Sequence, residues 1–228
     1  MQDSSASMAP SRLALPGLGL LCIGLLFGGL AAGVALGGVM PLPYGPMSAV
    51  VAYVRAEPVA LQVTATAVFA SSVPLAIYSA TACARLRQLG VSRPAAAITL
   101  TGGVLAAGAL GLTALLGWTL SRPEVSADAA LVRAIYFLVF LVGSPGHLVA
   151  LGLLVAGMAV PGRALGLMPG PLAWAGLVAA ALAEGTTLVL AWPELGVILP
   201  IARVAALVWL VSAGLRLGSV AAVACPID

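Results

Sequence analysis

Six long apolar runs, separated by short breaks, constrain this chain more than any other feature. They fall at about 13–39, 59–84, 95–120, 134–160, 172–192 and 197–215. A bilayer-spanning helix needs about 20 mainly apolar residues, and each run meets that length. The chain is 7% charged, against about 25% in a soluble domain. So few charges could not cover a water-facing surface, so lipid must be the main solvent. The expected fold is all-α, a polytopic transmembrane bundle of six spans. No polar segment is long enough for a second unit, so residues 1–228 are read as a single transmembrane domain.

The breaks are well marked. They carry PLPYGP (41–46), RLRQLGVSRP (85–94), SRPEVSAD (121–128) and PGRALGLMPGP (161–171), and Pro and Gly punctuate helices. The first run follows Arg12 and could pass for a signal peptide. It is much longer than the roughly 7–15 apolar residues of such a segment, so an uncleaved first span is expected.

Basic residues set orientation, because Lys and Arg collect in cytoplasmic loops. With the N-terminus inside, Arg12, Arg85, Arg87, Arg93, Arg163 and Arg216 are cytoplasmic, and Arg55, Arg122, Arg133 and Arg203 fall toward the outside. Glu57, Glu124, Asp128 and Glu194 fall outside, while Asp3 and Asp228 lie inside at the termini. Both termini are therefore expected in the cytoplasm, in a multi-pass protein of the inner (cytoplasmic) membrane. Trp118, Trp192 and Tyr136 then land near the outer interface and Trp174 near the inner one.

Every basic residue is Arg, and neither Lys nor Asn occurs. This fits the codon usage of a GC-rich, bacterial genome. The net charge of +3 comes from scattered residues, which speaks against a nucleic-acid partner. Cys22, Cys83 and Cys225 have no metal-ligand or CxxC spacing, so neither a metal, another cofactor nor a disulfide framework is expected. The first span carries small-residue spacing at Gly24, Gly28, Gly29, Gly33 and Gly37. Such spacing lets helices approach closely. It reads either as packing within the chain or as a face for a second copy or a membrane partner. No internal repeat is visible, so the inverted-repeat logic of many transporters has no support.

Three ionisable residues lie within spans: His147, Glu184 and Arg203. Glu184 is the only charged residue of its run, and a charge at that depth costs about 2.5–3.5 kcal/mol on insertion scales. At 1.5 Å per residue, Glu184 lies about 12 Å below the outer end of the fifth span and Arg203 roughly 8–9 Å below that of the sixth. The short turn at 193–196 makes these helices neighbours. A Glu184–Arg203 ion pair is therefore expected, with Glu184 facing the sixth span and not lipid. The competing reading has Arg203 reaching to the interface and Glu184 protonated or hydrogen-bonded. His147, the one histidine, reads as a hydrogen-bonded packing residue or as part of a proton or ligand site with Glu184. Haem would need a second axial ligand, and zinc further N or S ligands. In the second span, Pro74 leaves the Ala70 carbonyl for hydroxyls such as Ser71 and Ser72. Thr64 and Thr66, with Glu184, Arg203 and His147, would form an outward-biased polar pocket.

GSPGH superficially resembles the serine motif of rhomboid proteases, but the sole histidine stands three residues from Ser144 and supplies no separate base. The final Cys-Pro-Ile-Asp has the outline of a prenylation box, which its terminal Asp argues against. No paired acid and base is visible, so an enzyme is not expected.

From the second span onward, about two thirds of the chain resembles a bacterial family of six-helix integral membrane proteins catalogued as a domain of unknown function. Three stretches carry the likeness: LAIYSATACARLRQLGVSRPAAAITL, GHLVALGLLVAGMAVPGRALGLMPGPLAWAGLV, and the acid Glu184. The pattern of His, Leu-Gly and a Pro/Arg/Leu-Gly loop appears as His147, Leu151-Gly152, Pro161, Arg163 and Leu165-Gly166. Where relatives tend to have an aromatic-Arg stretch in the third span, this chain has LTGGVLAAG. The resemblance implies a six-helix fold and no assigned activity. Two roles follow. The preferred one is an accessory or structural membrane subunit whose polar residues hold helices in register. The alternative is binding or transport of a small solute, lipid or proton at Glu184, His147 and Arg203.

Overall fold

Helices account for nearly all of the computed structural model, which describes residues 14–42 and 44–220. Asp3, Arg12, Cys225, Asp228 and the final Cys-Pro-Ile-Asp lie outside the described residues. In chain order the helices are α1 (Ala14–Gly37), α2 (Met47–Ala56), α3 (Pro58–Gln88), α4 (Arg93–Leu120), α5 (Pro123–Ser126), α6 (Ala129–Leu141), α7 (His147–Ala164), α8 (Gly170–Gly185) and α9 (Ile198–Ser219). A π turn, Val142–Gly146, joins α6 to α7, and 3-10 turns at Thr186–Leu190 and Pro193–Val197 lie between α8 and α9.

Six of these helical stretches are long and apolar enough to cross a membrane: Ala14–Gly37, Pro58–Gln88, Arg93–Leu120, Ala129–Ala164, Gly170–Leu190 and Pro193–Ser219. The protein is thus an all-helical, six-span bundle, as its apolar runs imply. Several spans outrun the runs that announced them. The fourth has 36 residues, or about 54 Å of helix against a hydrocarbon core of about 30 Å. Its ends, like that of α3 at Arg85 and Arg87, continue past the apolar stretch.

Local chemistry sets the ends. Pro58, Pro94, Pro123 and Pro171 sit in the first turns of their helices, where a missing N–H costs nothing. The Asp128 carboxylate caps α6, accepting from the backbone N–H groups of Ala130 at 2.8 Å and Leu131 at 3.3 Å. Gly90 and Gly166 end α3 and α7 with φ of +87° and +65°. Each allows the residue after it to bond back into the last turn, Val91 to the Leu86 carbonyl at 3.0 Å and Leu167 to that of Gly162 at 2.9 Å. Only glycine takes this left-handed turn without strain.

The spans form a closed ring. α1 packs on α3, α3 on α4, α4 on α7, α7 on α8, α8 on α9, and α9 returns to α1. A glycine marks each of these six contacts. A Cβ on Gly29 would stand 2.1 Å from that of Ala67, and one on Gly33 1.9 Å from the Thr64 hydroxyl. Gly103 meets Ser79, Gly102 meets the α7 backbone at Leu154, and Gly152 meets Ala183. Gly176 seats the Trp209 indole, and Gly214 meets Leu15. In lipid, helices gain little from hiding apolar surface from one another, so close approach supplies the contact energy. Gly29, Gly33 and Gly37 are thereby occupied within the chain. Gly24 and Gly28 face outward with nothing within 4 Å.

Long-range hydrogen bonds fasten the ring. The buried Tyr78 hydroxyl donates to the Leu210 carbonyl at 2.6 Å, and Trp209 Nε1 to that of Leu172 at 2.8 Å. Arg85 donates to the carbonyls of Leu217 and Val220, tying the α3 end to the α9 end. On the opposite side, Arg55 of α2 donates to the carbonyls of Ser126 at 2.8 Å and Ala127 at 2.9 Å. Helix α2 was not signalled by the sequence. It lays Val50 and Val54 against Leu61, Leu120, Val132 and Tyr136, capping the bundle there. Trp118 stacks on Arg122 on the α2 side, and Trp174 on Arg163 on the other. In α3, Pro74 does not break the helix. The Ser71 and Ser72 hydroxyls donate to Val68 and Phe69 at 2.7 Å each, and so do not serve the Ala70 carbonyl.

Gly28 and Gly29 are sequence neighbours on different faces of α1, one open and one packed on Ala67. Gly29→Leu should lower stability by about 1–3 kcal/mol or more through overpacking, and Gly28→Leu should stay within about 0.5 kcal/mol of the wild type. Reversible unfolding in mixed micelles measures both.

Candidate functional site

Two spans lose regular α-helix at neighbouring positions. The fourth widens into the π turn Val142–Gly146, and the fifth tightens into 3-10 geometry at Thr186–Leu190. The two irregular turns pack against one another. Pro145 helps make the first break, since it has no N–H to give. The His147 N–H then bonds to the carbonyls of Val142 and Ser144 and bypasses that of Gly143. A carbonyl left over inside hydrocarbon needs another donor. Arg203 supplies it: its Nη2 donates to the Gly143 carbonyl.

Arg203 is half-buried, with its Nε fully enclosed and without a hydrogen-bond partner. His147 is completely buried, and its Nδ1 lies 3.0 Å from the Ala106 carbonyl oxygen. That oxygen only accepts, so Nδ1 carries the proton and Nε2 presents a lone pair. Nε2 has no partner. Thr113 completes the group. Its methyl and hydroxyl press on Gly143, where a Cβ would stand 2.6 Å from Cγ2, and its buried Oγ1 is also unpartnered. Four buried side-chain polar atoms lack partners among the described residues, and three of them, Thr113 Oγ1, His147 Nε2 and Arg203 Nε, surround this turn. The fourth, Thr99 Oγ1, lies farther along α7 beside Gly157. Such atoms are rare in folded proteins, and each needs an explanation.

Of the three ionisable residues singled out in the sequence, two adjoin the π turn: His147 directly follows it, and Arg203 donates to its Gly143 carbonyl. The expected Glu184–Arg203 ion pair does not form, because Arg203 is committed to Gly143 and Glu184 lies on an exposed face of α8. Depth and connectivity place the helices as neighbours, but rotation about the α8 axis decides what Glu184 meets. The buried stripe of α8 is Ala173, Gly176, Ala179, Ala180 and Ala183, and Glu184 is one residue past it. The carboxylate turns instead toward α7, where a Cβ on Gly152 would stand 3.1 Å from Glu184 Oε1.

The expected polar pocket divides accordingly. Thr64 and Thr113 line a chamber of about 310 Å³ beneath α2, between α1, α3, α4 and α6. Leu30, Val34, Val68, Gly117 and Val139 give it apolar walls. Tyr53 of α2 roofs it, donating to the Gly38 carbonyl at 3.3 Å. Thr113 stands between the chamber and the Gly143–Arg203 bond. Thr66 is exposed and outside the chamber, and Glu184 lines a separate groove. Thr113 was missed in the sequence because nothing distinguishes it among apolar neighbours. The proline-glycine cluster GSPGH was the visible sign of the turn it contacts. Among the described residues, no three of His, Cys, Asp and Glu gather into a group that could hold a metal ion.

No family model, no curated protein and no solved structure matches this chain.

The geometry makes Glu184 and Arg203 energetically independent. In a double-mutant cycle, Glu184→Gln and Arg203→Met should add to within about 0.5 kcal/mol. Unfolding free energies of the four proteins in mixed micelles measure the coupling.

Proposed function

We propose that this polytopic membrane protein binds a small solute in the chamber beneath α2, with the polar group at the π turn behind it. The observation that carries the reading is the convergence of Thr113 Oγ1, His147 Nε2 and Arg203 Nε, all buried and unpartnered, on one helix break. The competing reading, an accessory or structural membrane subunit, rests on the same residues holding helices in register, as Arg203 does on Gly143 and His147 on Ala106. Broken helices within a membrane are tolerated where they are buried in protein or border a cavity, and a π turn inside an α-helix often marks a functional site.

The chamber favours a compact, largely apolar molecule bearing one hydrogen-bonding oxygen. Its volume, about 310 Å³, is about twice that of a cavity able to hold benzene. A bound water needs two to four polar partners, and these mostly apolar walls are poorly furnished for that. The oxygen of such a ligand would meet the Thr113 hydroxyl, with the positive charge of Arg203 behind it. Binding is the role proposed, without a catalytic step. We place the protein in the cytoplasmic membrane with both termini in the cytoplasm, because Arg85, Arg87, Arg93, Arg163 and Arg216 belong to the side opposite α2 and Arg collects on the cytoplasmic side. The chamber then faces outward.

Binding of 1-naphthol and of naphthalene to the protein in lipid nanodiscs tests the proposal. Wild type should bind both saturably at one site. Gly117→Leu, which fills the chamber, should abolish both. Thr113→Val should weaken 1-naphthol about three- to tenfold, as expected for one neutral hydrogen bond, and leave naphthalene unchanged. Unsaturable partitioning, equal in wild type and Gly117→Leu, would mean that the chamber takes no ligand. Orientation has its own test. In a background with Cys22, Cys83 and Cys225 replaced by Ser, Glu124→Cys should react with an impermeant maleimide in intact cells, and Ser92→Cys only after permeabilisation.

A further inference from the structure

Glu184 is left without a partner by everything described so far, and its surroundings suggest what it meets. The carboxylate borders a groove of about 1080 Å³ that opens on the lipid-facing surface between α4, the α6–α7 span and the fifth span. The groove is distinct from the chamber beneath α2, and no residue lines both. Its walls are apolar, with Val104, Leu112, Val149 and Leu153 along its length, and Glu184 is the only ionisable residue lining it. The neighbouring Thr187 hydroxyl donates to the Glu184 backbone carbonyl at 2.7 Å and so does not engage the carboxylate. Arg203, the nearest cation in sequence terms, is bonded to Gly143.

A lone acid in hydrocarbon normally faces a cation, a donor or a water-filled cavity. Among the described residues the groove offers the carboxylate and a long apolar trough but no cation. We propose that the groove binds an amphipathic amine from the bilayer, its ammonium on Glu184 and its alkyl chain laid between α4 and α7. Charge complementarity selects the head. The trough selects the tail: its α6–α7 wall runs from Leu141 to Leu153, about 18 Å of helix, which matches an extended chain of roughly twelve to fourteen carbons. A simple alcohol of the same length has the tail and lacks the charge. Glycine keeps the trough open at two places. Gly152 makes room for the carboxylate, since a Cβ there would crowd Oε1 at 3.1 Å. Gly108 lines the floor and has nothing within 4 Å of where its Cβ would be.

Thermal unfolding in phosphatidylcholine nanodiscs, titrated with dodecylamine or with dodecanol, tests this assignment. Dodecylamine should raise the wild-type midpoint saturably, and dodecanol should not. Glu184→Gln should weaken the apparent dodecylamine affinity about tenfold or more, as for loss of a charge-assisted bond. Gly108→Leu should fill the trough and remove the response while leaving the unliganded midpoint near that of the wild type. Equal responses to amine and alcohol would overturn the proposal, as would an undiminished amine response in Glu184→Gln. A wild-type protein that shows no response until a second membrane protein is supplied would also overturn it, in favour of a partner helix. Thr113→Val and Gly117→Leu leave this groove untouched, so its failure and that of the chamber are separable.

Discussion

Close approach of helix backbones is the interaction on which this structure rests. Water drives soluble helices together by excluding their apolar faces, and lipid offers no such drive. What remains is dispersion between surfaces in contact, which falls steeply with small gaps. The chain meets that requirement with a glycine at every junction of its ring, from Gly29 and Gly33 of α1 packed against α3 to Gly214 of α9 packed against α1. The arrangement also explains why α7, with neighbours on both sides and Gly152 and Gly157 as its contact points, is so fully enclosed. Leucine and valine, the bulky residues, are divided between interior and lipid face, so apolar character says nothing about which way a side chain points.

The second constraint is that the bilayer forgives no unpaired backbone group. Where Pro145 interrupts the fourth span, the structure answers with a side chain from another span, the Arg203 guanidinium on the Gly143 carbonyl. A single bond of this kind fixes a buried charge and repairs a helix break together. It does not use up the arginine, and the remaining polar capacity of Arg203, His147 and Thr113 gives the π turn its chemical character.

The six spans were legible because hydropathy needs only composition and length. Their ends were less so. Arg85, Arg87 and Arg133 stop an apolar run, yet they sit within helices that continue past the hydrocarbon. Helix α2 stayed hidden because ten residues between two proline-rich stretches look like a connection. The Glu184–Arg203 expectation failed for an instructive reason. Depth and loop length fix which helices are neighbours, while rotation of about 100° per residue fixes which residues meet. The clue to rotation was present in the small residues. Ala173, Gly176, Ala180 and Ala183 trace the packed face of α8, and Glu184 stands beside that line. In a membrane the stripe to read is the small one. His147 is hydrogen-bonded, and its partner, the Ala106 carbonyl, could not be found from sequence, since backbone groups carry no signature.

The ring has a seam, and it lies where the chain's last described span meets its first. Synthesis proceeds from the N-terminal end, so α1, α3, α4, the α6–α7 span and α8 enter the membrane before α9 exists. Until then the Tyr78 hydroxyl lacks the Leu210 carbonyl and Arg85 lacks those of Leu217 and Val220. Likewise the Gly143 carbonyl lacks Arg203, and the Leu172 carbonyl lacks the Trp209 indole. Every one of these debts is settled by α9 or by Val220, the residue that follows it. Insertion of α9 is therefore a single locking event for these contacts, and a nascent bundle halted before it carries the Tyr78 hydroxyl and the Gly143 carbonyl unmet in hydrocarbon, a mark by which the cell's quality control tells a locked bundle from an unlocked one.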